Sequence, residues 1–157
     1  VLVRVPRPVP ALELGTLPRR RCVIAEEALP HVVVDADDVH HSRCVEALAS
    51  IPAGEMMTTW PCLTEAMYLL RREAGTRAQE ALWQYVADGL VKLYDSASGE
   101  WRRMRSLMYQ YRDAPMDLAD ASLVTAAERL GTRRVFTVDQ HFRAYRILGK
   151  SSFEVIP

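Results

Sequence analysis

From Cys22 to the end of this 157-residue chain, short apolar runs rich in β-branched residues alternate with stretches of helical period. Alternation of this kind is what strands joined by crossover helices require, so the chain is expected to be an α/β protein built on a parallel sheet. The expected strands are Val23 to Ala25, Met56 to Thr59, Leu90 to Tyr94, Arg134 to Val138 and Phe153 to Ile156. Between them, Val39 to Ala49 reads as a helix entered through the Asp37 and Asp38 pair, whose side chains suit a cap. Pro61 to Glu73 starts on the residue favoured in a first helical turn and places Leu63, Met67 and Leu70 on one face. Thr76 to Asp88 ends at Gly89, and Glu100 to Tyr111 carries Trp101, Met104, Leu107, Met108 and Tyr111 at three- and four-residue spacing. Leu118 to Leu130 stops at Gly131, a residue that accepts a left-handed cap.

The first 21 residues hold four of the nine prolines and five arginines with no sustained period, which reads as an irregular basic arm preceding a single domain over 22–157. Twenty basic side chains balance twenty acidic ones, so a polyanionic substrate would have to be held by a local patch rather than by a global field. Cys22, Cys44 and Cys62 are widely spaced and form no CxxC pair, which fits reduced, small apolar side chains. No apolar run approaches the roughly 20 residues that span a bilayer, and the chain shows no secretory layout, so a cytoplasmic protein without membrane contact is expected.

The acids carry the chemistry. Asp139 follows the strand VFTV at its carboxyl end, where open parallel sheets place ligands. Glu65 lies one to two turns into the helix after Thr59, and Asp117 and Asp120 stand three residues apart at the start of the helix from Leu118. All would meet at one edge of the sheet. Carboxylates gathered there raise one another's pKa and are tolerated when a cation neutralises them, and oxygen ligands alone point to Mg²⁺ or Mn²⁺. Each acid also has a plain structural reading. Asp117 fits an N-cap, Asp120 complements the helix dipole, Glu65 pairs with Arg71 or Arg72, and Asp139 is a turn residue. Periodicity does not choose between these.

The segments TTWPCLTEAMYLLRR, APMDLADASLVTAAERLGTRRVFTVDQHF and the closing FEVI resemble the PIN-domain ribonucleases, in particular the toxins of bacterial type II toxin–antitoxin modules, over roughly residues 22 to 157. The resemblance implies a three-layer α/β/α sandwich around a central parallel sheet. It carries the family's acids onto Glu65, Asp120 and Asp139, with Asp117 in support. The family's first acid, an aspartate ending the first strand, falls here on Glu26, with Glu27 in place of a hydroxyl residue and Pro30 and His31 interrupting the expected apolar helix. Glutamate keeps the charge but adds a methylene, and a displacement of about an ångström can cost on the order of a hundredfold in rate.

The function so implied is metal-dependent hydrolysis of RNA by Glu65, Asp120, Asp139 and Glu26, with Glu26, Asp120 and Asp139 holding Mg²⁺ or Mn²⁺. RNA, a cognate antitoxin protein and a second copy of the chain in a homodimer are the implied partners. The competing reading is a PIN module whose altered first acid has ended catalysis and left a binding role. A small-molecule phosphohydrolase is disfavoured because no glycine-rich phosphate loop follows a strand. Arg102, Arg103 and Arg105, with Tyr109 and Tyr111, are candidates for contacting phosphates and stacking bases, although a charged face backing an apolar stripe explains them as well. His40 and His41 point to different sides of a helix, which argues against a metal pair, and Trp60 and Trp83 are expected in the core.

Overall fold

The computed structural model describes residues 23–25, 39–52, 54–114 and 116–156. The arm over 1–21, Cys22, Glu26, Glu27, Pro30, His31 and the Asp37 and Asp38 cap fall outside the described residues.

Five parallel strands make the main sheet: β1 (Val23–Ala25), β2 (Met56–Thr59), β3 (Val91–Tyr94), β4 (Arg134–Phe136) and β7 (Glu154–Ile156). Their order is β3-β2-β1-β4-β7, with Val23 opposite both Met56 and Arg134, and Arg134 opposite Glu154. Side chains alternate across this sheet as the pleat demands. Val23, Ala25, Met56, Val91 and Phe136 form one apolar cluster with Cys44, backed by Ala47 and Leu48 of α1 (His41–Ser50). Met57 and Val135 face the other way. Met57 packs with Ala126, and Val135 packs with Leu123, Val124 and Ala127, all from α5 (Leu118–Leu130). Apolar layers on both faces make the expected three-layer sandwich.

Helix α5 is buried continuously from Ala119 to Ala127. Alanines at 119, 121, 126 and 127 keep it thin, so it lies close to β1 and β2 while α2 (Trp60–Glu73) and α4 (Trp101–Gln110) pack along its sides. Leu63, Ala66 and Leu70 of α2 close against Leu82 of α3 (Thr76–Ala87).

The chain builds β2 and β3 to one side of β1, then crosses to β4 on the other. The reversal of winding opens a crevice at the carboxyl ends of β1 and β4, the place where such sheets hold ligands. Three details depart from expectation. Strand β4 ends at Phe136 because the Asp139 amide donates to Thr137 Oγ1 at 2.9 Å, turning the chain out of the ladder. A 3₁₀ turn over Gln140–Arg143 follows, and then a small hairpin of β5 (Arg146–Ile147) and β6 (Ser151–Ser152) turns on Leu148 and Gly149, both at positive φ. Finally, Trp60 and Trp83 are 47% and 43% exposed rather than in the core. Trp60 opens α2 with its indole N–H donated to Asp95 Oδ1 at 2.9 Å, which holds the ring along the rim, and Trp83 lies on the outer face of α3, whose Leu82 points inward.

Candidate active site

Asp117 is the N-cap of α5, and its Oδ1 accepts the Asp120 amide at 2.9 Å. This cap fixes the first turn of the helix and with it the origin of Asp120, whose carboxylate is buried at 5% exposure. Burial pushes the Asp120 carboxyl up to about 6, and the nearby charges of Asp117 and Asp139 add to the shift. Two hydrogen bonds work the other way: chiefly the Tyr145 hydroxyl, which donates to Asp120 Oδ2 at 2.9 Å, and to a lesser degree the Asp117 backbone amide.

Asp139 caps the 3₁₀ turn. Its Oδ1 accepts the His141 amide at 2.9 Å, and the same histidine folds back so that Nδ1 lies 2.9 Å from Oδ1 and 3.0 Å from Oδ2. Glu65, half-buried on α2, has its carboxyl raised by burial and then by the charge of Asp117. Glu65 therefore communicates with Asp117, and Asp117 and Asp139 with Asp120. Asp117 thus stands between Glu65 and Asp120, and Asp139 on the far side of Asp120, in a row of acids at the carboxyl edge of the sheet. Glu65 is not paired with either expected arginine: Arg71 donates to Thr76 Oγ1 and Arg72 to Glu73.

The frame beneath the acids is polar and tight. Thr59, ending β2, shares a 2.5 Å hydroxyl contact with Ser122 of α5, and Thr58 Oγ1 donates to the carbonyl of Ala25, the last residue of β1. These bonds lock α5 and β1 to β2 directly below the acids.

Among the described residues no three histidine, cysteine, aspartate or glutamate side chains gather closely enough to enclose a metal by themselves. The donor chemistry nonetheless fits a hard divalent cation: oxygen ligands, mutual repulsion, and a carboxyl whose proton affinity is raised by burial and further by its acidic neighbours. Glu26, the next residue in sequence after the end of β1, lies outside the described residues.

The three expected RNA-contacting arginines separate. Arg103 is engaged by Glu128, with Nε 2.8 Å from Oε2 and Nη2 2.7 Å from Oε1. Burial works to raise Glu128, but Arg103 and the Leu148 amide, which also donates to it at 2.8 Å, hold its carboxyl below the usual range. Arg102 lies over the exposed Trp101 ring, 4.7 Å from its centroid, and Arg105 is exposed. Tyr109 is exposed beneath Arg112, whereas Tyr111 is half-buried against Tyr145. Residues that sequence reasoning missed are Tyr145, His141 and the Thr59–Ser122 pair. The buried position of Asp120 was the signal for Tyr145, since a carboxylate out of water needs a donor.

No protein-family model matches the chain. Ribonuclease VapC26 of Mycobacterium tuberculosis is 30% identical to it over 124 residues, spanning 78% of this chain and 91% of the relative. The crystal structure of M. tuberculosis VapC20, described as a Sarcin-Ricin loop cleaving toxin, superimposes with a TM-score of 0.70 over 78% of this chain and 93% of that one, at 20% identity. The second likeness bears on fold, and the first bears on family. Together with three acids placed by separate elements at one edge of a parallel sheet, they show that this chain belongs to the VapC ribonucleases, the PIN-domain toxins of toxin–antitoxin modules.

Proposed function

We propose that the protein hydrolyses phosphodiester bonds of RNA with the help of Mg²⁺ or Mn²⁺, using Glu65, Asp120, Asp139 and Glu26, and that a cognate antitoxin protein restrains it in the cytoplasm. One observation carries this reading: Asp120 is a buried carboxylate in the first turn of α5, pushed up by burial and by two further acids. A fold has no stability reason to gather such charges, and a cation-dependent site does. Glu26, Asp120 and Asp139 would hold the metal. Bound there, the cation supplies a water of lowered pKa and offsets charge developing on the phosphate.

The chain's own residues do the rest. Asp117 and Tyr145 orient Asp120, and His141 orients Asp139. Arg102 and Arg105 are available for backbone phosphates, and the Trp101 ring offers a stacking face. Arg103 serves mainly to fasten α4 to α5. A homodimer belongs to the same reading, and among the described residues no helix is long and apolar enough to cross a membrane. Cleavage of end-labelled single-stranded RNA tests the proposal. Products should require Mg²⁺ or Mn²⁺ and vanish with Asp120→Asn.

The second reading, a binding module without catalysis, is favoured by Glu26 standing where the family has aspartate. An inert protein that still binds RNA or its antitoxin, and that gains cleavage with Glu26→Asp, would establish it.

A further inference from the structure

We propose that Tyr145 is a positioning residue for the reaction: its hydroxyl, donated to Asp120 Oδ2 at 2.9 Å, fixes the rotation of the carboxylate through which Asp120 acts. The inference rests on the ribonuclease reading of the same site. A carboxylate offers two oxygens and about four lone-pair directions, and it rotates freely about its last bond unless donors choose between them. Among the described residues, Tyr145 is the side-chain donor that reaches the Asp120 carboxylate, alongside the backbone amide of Asp117.

The phenol is itself held. Its ring is completely buried, edge-on to Tyr111 at 5.0 Å between centroids and to Phe142 at 5.3 Å, and Phe142 in turn abuts Phe153 at 5.5 Å. The backbone carrying it is clamped by the next residue: Arg146 Nη1 donates to the carbonyls of Arg143, Ala144 and Tyr145 at 2.7, 2.8 and 2.8 Å. The Arg146 amide closes the arrangement by donating to the Tyr111 hydroxyl at 3.0 Å. Ring packing fixes where the hydroxyl is, and the clamp fixes the chain that bears it. A side chain kept only to satisfy a buried acid would not need both. Groups oriented this way set the geometry of the ligands they touch, and their loss commonly costs roughly 10–100-fold in activity or metal affinity.

Tyr145→Phe removes the hydroxyl and keeps the ring. We expect kcat to fall roughly 10–100-fold with KM for RNA changed by less than about twofold, and Mn²⁺ affinity of the protein alone, read by calorimetry, to weaken by a comparable factor. In a crystal structure of the variant the Asp120 carboxylate should be rotated or split between two conformers. Val91→Ala, in the buried cluster with Cys44 and Phe136 that contains neither Tyr145 nor any of the acids, serves as the packing control: it should lower Tm yet leave kcat within about threefold, because the hydroxyl and the rings that hold it remain. An unmoved carboxylate with wild-type kcat and Mn²⁺ affinity overturns the proposal, as does an equal loss of kcat in Val91→Ala. Should the wild-type protein prove inert toward RNA while the carboxylate still turns in Tyr145→Phe, the ribonuclease reading fails and the positioning role stands.

Discussion

Replacing Asp120 by Asn should make the protein more stable while abolishing its activity, and the gain should depend on pH. In the folded protein the Asp120 carboxyl is raised from 3.8 to about 6, so between these values the folded state holds a proton that the unfolded state has released. Stability contributed by this group is therefore complete at low pH and is lost as pH rises through about 4 to 6. A shift of about two units corresponds to ~3 kcal/mol at about 1.4 kcal/mol per unit, and screening at the edge of a water-connected site brings this to ~2 kcal/mol. Asparagine removes the charge and keeps an oxygen for the Tyr145 hydroxyl, so the charge penalty disappears while that donor stays paired. At roughly 2–4 °C per kcal/mol for a chain of this size, Asp120→Asn should melt about 4–8 °C higher at pH 7.5, and the difference should close by about pH 4. Thermal melts followed by circular dichroism, both proteins in chelator across pH 4 to 8, give the answer. A lower Tm for the variant at pH 7.5, or an offset that does not change with pH, would refute the reasoning.

Four further outcomes are expected. Excess chelator should abolish RNA cleavage and added Mn²⁺ should restore it, read on labelled RNA; cleavage that persists in chelator excludes the metal mechanism. Glu26→Asp should raise kcat by about tenfold or more, since a shorter side chain restores a ligand displaced by about an ångström, and an unchanged rate would remove Glu26 from the site. Glu128→Gln breaks the bidentate contact with Arg103 and should cost about 2–3 kcal/mol, seen as a Tm lower by roughly 5–10 °C. Arg102→Ala and Arg105→Ala should raise KM and flatten its salt dependence at unchanged Tm, whereas Arg103→Ala should act on Tm, which melts and cleavage assays at several salt concentrations can separate.

Strands β1 and β2 and helix α5 were legible to the residue, because each couples a period to a terminator: a run of apolar residues with its break, or an Asp117 cap with a Gly131 stop. The placement of the candidate acids Asp117, Asp120 and Asp139 was legible because they sit at element ends, where local sequence determines position. What was not legible depends on contacts between distant residues. Tyr145 meets Asp120 across 25 positions, and Arg103 meets Glu128 across the same separation, so no window reveals either. The β5–β6 hairpin has two residues per strand and turns on Leu148 and Gly149 without the usual asparagine, leaving no period to read. Trp60 was assigned to the core on its apolar character, yet a single polar atom bonded to Asp95 holds it at the surface.

Leu148 holds a left-handed backbone, φ 50°, in a turn whose amide is tied to Glu128 at the far end of α5. Glu128 stands eight residues beyond Asp120, roughly 12 Å along the helix axis, and touches none of the acids. Yet the turn it tethers closes the hairpin whose first strand begins immediately after Tyr145. A screen for variants that disarm the protein in a cell should therefore return two groups of hits on α5, one at Asp117 and Asp120 and another a full two turns away at Glu128. The second group would be recognisable by recovery of function at reduced growth temperature, which substitution of Asp120 itself should not share.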